Sequence, residues 1–231
     1  MNKYEKLFFP GALKTPEKLK SRAFCAAKNF EPPKELILSG YCVPVDNQGQ
    51  TPWCAAYSAA NYAENILWRK RGYHSEIDPE PLYRYAKSID GDPHGDGTYL
   101  ECTLEALVKY GHFDGTLCKI RTFGGPGFGR DAASALLDVK YAVHKYGICM
   151  AGFNVSSEWF RPKNGVITGA TKDSEGGHAV LICGYDEGGV LVQNSWGKDY
   201  GHGGFVYVSN RAFADQFIYG AILTRSLDGF N

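Results

Sequence analysis

The stretch DNQGQTPWCAAYSAANYAENI, residues 46 to 66, passes from a loop with glycine and glutamine into a long alanine-rich run. Small and apolar residues recur there at helical spacing, and with the following Gly72 they predict a helix over residues 53–71. Cys54 therefore lies where a turn becomes a helix. Because the positive end of the helix dipole stabilises a thiolate, a cysteine in this position is a candidate nucleophile.

A nucleophilic thiol also needs a base, and His178 is the histidine best placed to provide one. It follows two glycines and begins the apolar strand pattern HAVLICGYD, whereas the other five histidines lie in polar or glycine-rich segments. Asn194 closes the next strand pattern, VLVQNSW, across the short turn DEGG. The predicted hairpin brings the two residues together, so that the Asn194 amide holds the imidazole in one tautomer.

Gln48 completes this group, six residues before Cys54 and across a glycine-containing loop. Its side-chain amide and the backbone N–H of Cys54 together form a candidate pair of donors for an oxyanion. Buried cysteines are common and usually inert, so the remaining ones are interpreted as structural: Cys25, Cys42, Cys102, Cys118, Cys149 and Cys183. No C-x-x-C pair occurs, and we expect neither a metal nor a cofactor.

Taken together, these segments resemble the papain family of cysteine peptidases. The resemblance rests on the stretch around Cys54, on GGHAVLICGYD and on VQNSWGKDYGHGGFVYVS, and it covers about residues 43–210. It implies a catalytic set with these roles: Cys54 as nucleophile, His178 as general base and then acid, Asn194 as orienting partner and Gln48 as oxyanion donor. It also implies that Trp196 shields the histidine–asparagine hydrogen bond from water.

The resemblance also marks residues for substrate binding, namely Trp53, Trp196 and Gly177. Pro52 and Trp53 stand where family members carry small residues beside the nucleophile, so we expect Trp53 to narrow the site. Pro52 has no N–H group, which removes one backbone contact to an extended peptide. Thr51 replaces a cysteine that usually forms a disulfide, which suits a reducing compartment.

Helical patterns fill the first half of the chain and strand patterns the second, which predicts an α+β protein. The glycine-rich stretch 121–130 is predicted to be a connection. The resemblance implies a papain-like fold with a helical left lobe, an antiparallel β-barrel-like right lobe and the active cleft between them. We predict an N-terminal extension over residues 1–40, acting as a belt or propeptide-like arm, a helical lobe over residues 41–125 and a β-rich lobe over residues 126–231.

Composition excludes several other classes of protein. The 231 residues carry 25 basic and 25 acidic side chains, and this neutral balance disfavours nucleic acid or an anionic membrane as a partner. No apolar stretch is long enough to span a bilayer. The N-terminal LFFPGAL is short and interrupted by Pro10, unlike a secretory signal. We therefore predict a cytoplasmic protein with reduced cysteines, acting on a peptide or protein substrate.

Three functions remain open from the residues. The first is peptide-bond hydrolysis through a thioester acyl-enzyme. The second keeps the same residues in a transpeptidase, an isopeptidase or an amidase. The third is a papain-like binding module without activity, which Pro52 and Trp53 favour and the intact catalytic set opposes.

Overall fold

The computed structural model describes residues 24–115, 117–126 and 130–225. Within them, five helices and eight strands follow one another along the chain: β1 (Leu36–Ile37), α1 (Cys54–Arg71), α2 (Pro79–Ile89), α3 (Leu100–Lys109), β2 (Cys118–Gly124), α4 (Ala132–Tyr146), β3 (Cys149–Val155), β4 (Val166–Ile167), β5 (Gly176–Tyr185), β6 (Gly189–Gln193), β7 (Phe205–Ser209), α5 (Asn210–Gln216) and β8 (Phe217–Arg225). Short 3₁₀ turns cover Ser39–Tyr41 and Ser157–Phe160. No helix among the described residues is long and apolar enough to cross a membrane.

All eight strands belong to one sheet, in the order β2-β8-β3-β5-β6-β7-β4, and β1 pairs with the C-terminal end of β5. Every described pairing is antiparallel except that of β4 with β7. Three consecutive helices come before most of this sheet in the chain. The α+β class predicted from the sequence is confirmed.

The sheet separates two hydrophobic cores, because side chains alternate between its faces. On β5, Val180 and Ile182 join the core that includes residues of α4 and α5. Their neighbours Ala179, Leu181 and Cys183 join the core that includes residues of α1, α2 and α3. The central strand β5 thus contributes to both cores, and its register fixes what faces each one.

Glycine ends two of the predicted helices by a specific geometry. Gly72 follows α1 with φ 76°, and its N–H bonds to the carbonyl of Trp68. After α3, Gly111 also has φ 76°, and the N–H of His112 reaches back to the carbonyl of Leu107. This left-handed position favours glycine, because a Cβ atom would be strained there.

One element differs from the sequence-based expectation, and one was not predicted from the sequence. The stretch 121–130 was expected to be a connection, yet its first four residues complete β2, which pairs along its whole length with β8. The segment NRAFADQ forms the helix α5 between two strands, with the Ser209 hydroxyl accepting the N–H of Ala212. The lobe boundaries stay a prediction.

The described part of the predicted N-terminal extension packs on the β-rich side of the molecule. Phe24 lies against the rings of Phe123 and Tyr141, with centroids 5.6 and 5.5 Å away. The N–H of Ala26 donates to the buried carboxylate of Asp138 on α4 at 2.7 Å. Residues 1–23 lie outside the described part of the chain, so the predicted role of the extension stays a prediction.

Candidate active site

His178 and Asn194 meet in the geometry that the sequence predicts. His178 is the third residue of β5, which begins two residues earlier than expected, and its Nε2 lies 2.8 Å from the Asn194 Oδ1. The same Oδ1 lies 2.8 Å from the backbone nitrogen of Ser195. Because a backbone N–H can only donate, the atom facing Ser195 must be the amide oxygen.

The tautomer of His178 follows from this arrangement. An amide oxygen only accepts, so Nε2 of His178 carries a proton, and in the neutral ring the lone pair lies on Nδ1. Nδ1 is buried and has no hydrogen-bond partner among the described residues. The ring therefore presents its basic nitrogen on the side away from Asn194.

Aromatic rings enclose the imidazole. The ring of Trp196 stacks on His178 at 4.6 Å between centroids, and Trp159 lies edge-on at 6.4 Å. Burial behind these rings lowers the pKa of His178 to about 4, and the hydrogen bond to Asn194 opposes this effect only in part. At neutral pH, in the absence of a nearby negative charge, the imidazole is neutral and ready to accept a proton.

This burial should make the protein sensitive to acid. The unfolded chain binds a proton at histidine near pH 6.5, whereas folded His178 does so near 4, so protons favour the unfolded state between these values. We expect the free energy of unfolding to fall by about 3 kcal/mol through this histidine as the pH drops across that window. Urea unfolding of the wild type and His178→Gln at pH 7 and pH 4 measures the difference.

Two controls separate the effect of His178 on acid stability from the effects of other titratable groups. Burial raises the pKa of Asp46 to about 6, with Glu64 and Glu76 acting in the same direction, which opposes the histidine effect. Asp46 is present in both proteins, so its contribution cancels in the difference. His94→Gln, at an exposed position, should keep the full acid sensitivity of the wild type. If His178→Gln lost as much free energy of unfolding as the wild type between pH 7 and pH 4, the prediction would be wrong.

The Gln48 side chain is held in one orientation by contacts that the sequence did not reveal. Its Oε1 accepts the hydroxyl proton of Ser195 at 2.7 Å, and its Nε2 donates to the Thr51 carbonyl at 2.9 Å. Gln48 is 2% exposed, so its amide is fixed within the protein. Ser195 connects Gln48 to Asn194, because Ser195 directly follows Asn194 in the chain.

Backbone contacts join the two loops that carry these residues. The Gln48 N–H donates to the Ser195 carbonyl, and the Gly197 N–H donates to the Asp46 carbonyl, both at 2.8 Å. Asn47 and Trp196 form an isolated β-bridge between them. The oxyanion candidate and the histidine's partner are therefore held in register, although about 150 residues separate them in the chain.

Cys54 is the first residue of α1, as expected from its position after the loop. Its side chain is buried, and α1 packs against β5, the strand that carries His178. The positive end of the helix dipole lies at the first turn of α1, which Cys54 begins and which the N-cap residue Trp53 does not cap with its side chain. A direct contact between the Cys54 sulfur and the His178 imidazole stays a prediction.

The predicted substrate-binding residues occupy three different settings. Trp53, half-buried at the N-cap of α1, stacks on Tyr83 of α2 with centroids 5.3 Å apart. Trp196 is buried against His178 and so belongs to the shielding of the imidazole. Gly177 pairs with Asn154 in the sheet, next to His178. Binding of substrate by these residues stays a prediction.

Trp159 is a further part of the site that the sequence analysis missed. Its indole N–H donates to Gln216 at 2.6 Å, and its carbonyl accepts from the Tyr200 hydroxyl at 2.8 Å. These contacts hold the ring edge-on to His178. Its sequence, SSEWF, has no feature that separates it from ordinary core aromatics. Among the described residues, no group of three or more histidine, cysteine or acidic side chains could hold a metal ion.

Comparison with known proteins finds similarity to papain-like cysteine proteases in both a family model and individual relatives. The family model of the papain family cysteine proteases matches residues 121–218, a range that contains His178 and Asn194 but begins after Cys54. Mouse (Mus musculus) cathepsin J is 28% identical over 199 residues, covering 76% of this chain and 59% of the relative. Papain from Carica papaya is 26% identical over 183 residues, covering 73% of this chain and 52% of papain. The chain thus spans little more than half the length of these two relatives.

Solved structures show the same fold. The cysteine protease xylellain from Xylella fastidiosa superposes with a TM-score of 0.73 at 18% identity, covering 97% of this chain and 98% of that one. Digestive procathepsin L 3 from Tenebrio molitor gives a TM-score of 0.65 at 18% identity, covering 97% of this chain and 77% of that one. The two-lobe, papain-like architecture implied by the sequence is confirmed.

Proposed function

We propose that this chain is a papain-like cysteine peptidase that hydrolyses peptide bonds through a thioester acyl-enzyme, a proposal that its similarity to papain-family proteins supports. The observation that supports this best is the His178–Asn194 pair. Its Nε2–H tautomer leaves a buried, basic Nδ1 for a thiol proton. A histidine with only a structural role would gain stability from a second hydrogen bond at that nitrogen.

The proposed reaction begins with transfer of the Cys54 thiol proton to Nδ1 of His178. The thiolate attacks the substrate carbonyl, and the Gln48 amide and the Cys54 backbone N–H stabilise the oxyanion. The imidazolium then gives its proton to the leaving amine, which departs as the thioester forms. Water, deprotonated by the same nitrogen, hydrolyses the thioester and restores the thiol.

A peptide library tests this proposal on the intact protein. We expect hydrolysis of amide bonds in the peptides, with products that carry a free carboxylate and a free amine. A thiol-directed peptidyl epoxide should abolish the activity at one equivalent per protein. Activity that survives complete labelling, or a protein that hydrolyses none of the peptides and takes up no label, would contradict the proposal. The second result would favour the inactive binding module.

The same residues would also serve transfer to an amine instead of water. A substrate amine competes for the thioester whenever it reaches the acyl-enzyme before water does. Mass spectrometry of the products with an added amine nucleophile separates the two outcomes. Free carboxylate as the main product supports the peptidase. A dominant amide product supports the transpeptidase.

Trp53 and Tyr83 form an aromatic wall beside Cys54, and we propose that it limits the size of substrate side chains. Trp53→Ala should raise the preference for bulky over small side chains next to the cleaved bond by about tenfold in kcat/KM. Substrate pairs that differ only at that side chain measure the ratio. Tyr85→Ala is the matched control, because Tyr85 of the same helix α2 pairs with Tyr110 instead. An unchanged ratio in Trp53→Ala would exclude this role.

A further inference from the structure

Two of the cysteines interpreted as structural, Cys42 and Cys183, are neighbours in the fold. β1 pairs with the end of β5, and the Leu38 N–H donates to the Cys183 carbonyl at 2.9 Å. The 3₁₀ turn Ser39–Tyr41 then brings the chain back, so that the Cys42 sulfur reaches the Leu38 carbonyl at 3.5 Å. The Cys42 side chain packs against the core that contains Cys183, and each thiol shifts the pKa of the other.

The two thiols differ in access and in environment. Cys183 is fully buried in the core beside α1, where its sulfur lies 3.7 Å from the Leu191 carbonyl. Cys42 is half-buried at the edge of that core and can be reached by a small solute. Both are free thiols. An accessible thiol with a buried thiol beside it is the arrangement of an attacking and a resolving cysteine.

Charge favours Cys42 as the partner that ionises. Its pKa is lowered chiefly by its interaction with the Cys183 thiol, and the Arg69 guanidinium at the end of α1 acts in the same direction against the effect of burial. The pKa of Cys183 is raised by the same interaction and by burial. The reactive thiolate is therefore on the side that solvent can reach.

We propose that Cys42 and Cys183 are a modification site, a dithiol that hydrogen peroxide converts reversibly into a disulfide. The Cys42 thiolate takes one oxygen from the peroxide, the O–O bond breaks, and the departing hydroxide takes up a proton to become water. The Cys183 sulfur attacks the resulting sulfenic acid, loses its proton and displaces a second water. Two thiols thus give two electrons to one peroxide.

The bond would connect two segments that matter to the site. Cys42 lies six residues before Gln48, and Cys183 lies five residues after His178 on β5. Residue 43 is already held by the Asn65 and Gln193 side chains. To form the disulfide, the two sulfur atoms would have to approach each other to about 2.0 Å. The disulfide would close a loop of about 140 residues in the unfolded chain.

Peptide mapping tests the proposal directly. The full chain is treated with hydrogen peroxide, free thiols are blocked with iodoacetamide, and the protein is digested without reductant by chymotrypsin. This enzyme cuts after Trp53 and so separates Cys42 from Cys54. We expect a cross-linked peptide pair containing Cys42 and Cys183, which dithiothreitol splits. Recovery of both cysteines as separately alkylated peptides, or of Cys42 joined to another cysteine, would overturn the proposal.

Thermal unfolding gives a second measurement that does not depend on enzymatic activity. The oxidised protein should have a Tm about 5 °C or more above that of the reduced protein, because the disulfide restricts the unfolded chain. Cys42→Ser should remove this difference, whereas Cys25→Ser, at an exposed cysteine outside the pair, should keep it. An equal shift in Cys42→Ser would assign the effect to another cysteine and overturn the proposal.

Discussion

Replacing Cys54 by alanine is expected to lower the turnover of peptide substrates by about 10⁵-fold or more. The methyl group that remains cannot form a thioester, so the covalent route is lost completely. Steady-state hydrolysis by wild type and variant measures the effect, after active-site titration of the wild type with a thiol-directed epoxide. The variant should also take up no label at this position.

Two further cysteines provide matched controls. Cys25→Ala removes an exposed thiol, and Cys102→Ala removes a buried one on helix α3. Both variants should keep turnover within a few-fold of the wild type. If Cys54→Ala is still labelled at one equivalent, or retains more than a tenth of the activity, the nucleophile is another residue.

Cys54 and Gln48 lie in the part of the chain that the family model, which covers residues 121–218, does not match. Their proposed roles rest on the local sequence and on the geometry at the start of α1. Substitution of Cys54 therefore tests a role that the family match does not support, unlike substitution of a residue within 121–218.

Replacing His178 by alanine is expected to lower kcat by about 10⁴-fold. In the proposed mechanism, the base that takes the thiol proton and the acid that protonates the leaving amine are then both missing. Added imidazole should restore part of the activity, because the substitution leaves space between Trp196 and Trp159. The measurement is kcat with and without imidazole, and the exposed His94→Ala is the control.

Asn194 should show a smaller effect in the same assay. Asn194→Ala leaves the base in place but removes the acceptor at Nε2, which fixes the tautomer and the ring orientation. We expect a loss in kcat of about 10²-fold, with Asn194→Asp closer to the wild type. A loss in His178→Ala no larger than in Asn194→Ala would show that His178 is not the base.

Much of this site follows from short patterns in the sequence. Cys54 lies at a helix start because the alanine-rich spacing begins there. His178 and Asn194 meet because the turn DEGG joins β5 and β6, whose pairing of Leu181 with Gln193 places Asn194 one residue farther along. Local sequence is sufficient where hairpin neighbours carry the chemistry.

Long-range contacts explain what sequence reasoning missed. β2 carries polar and basic residues and ends in glycine, and its partner β8 follows about 100 residues later. The contact of Ser195 with Gln48 spans 147 residues, and no periodicity records it. Cys42 and Cys183 are neighbours because β1 pairs with β5. At two residues, β1 is too short to be detected from the hydrophobic pattern of the sequence.

The position of β8 has a consequence for how the chain is made. In the finished sheet β8 lies between β2 and β3, yet it is synthesised after both. Until β8 emerges from the ribosome, β2 lacks the one strand with which it pairs among the described residues, and one edge of β3 is open. Such edges invite pairing with other chains, and distant pairings form slowly. The edges of β2 and β3 that β8 later covers are therefore open to intermolecular pairing in the nascent chain. We expect a chaperone that binds these edges to raise the yield of native protein.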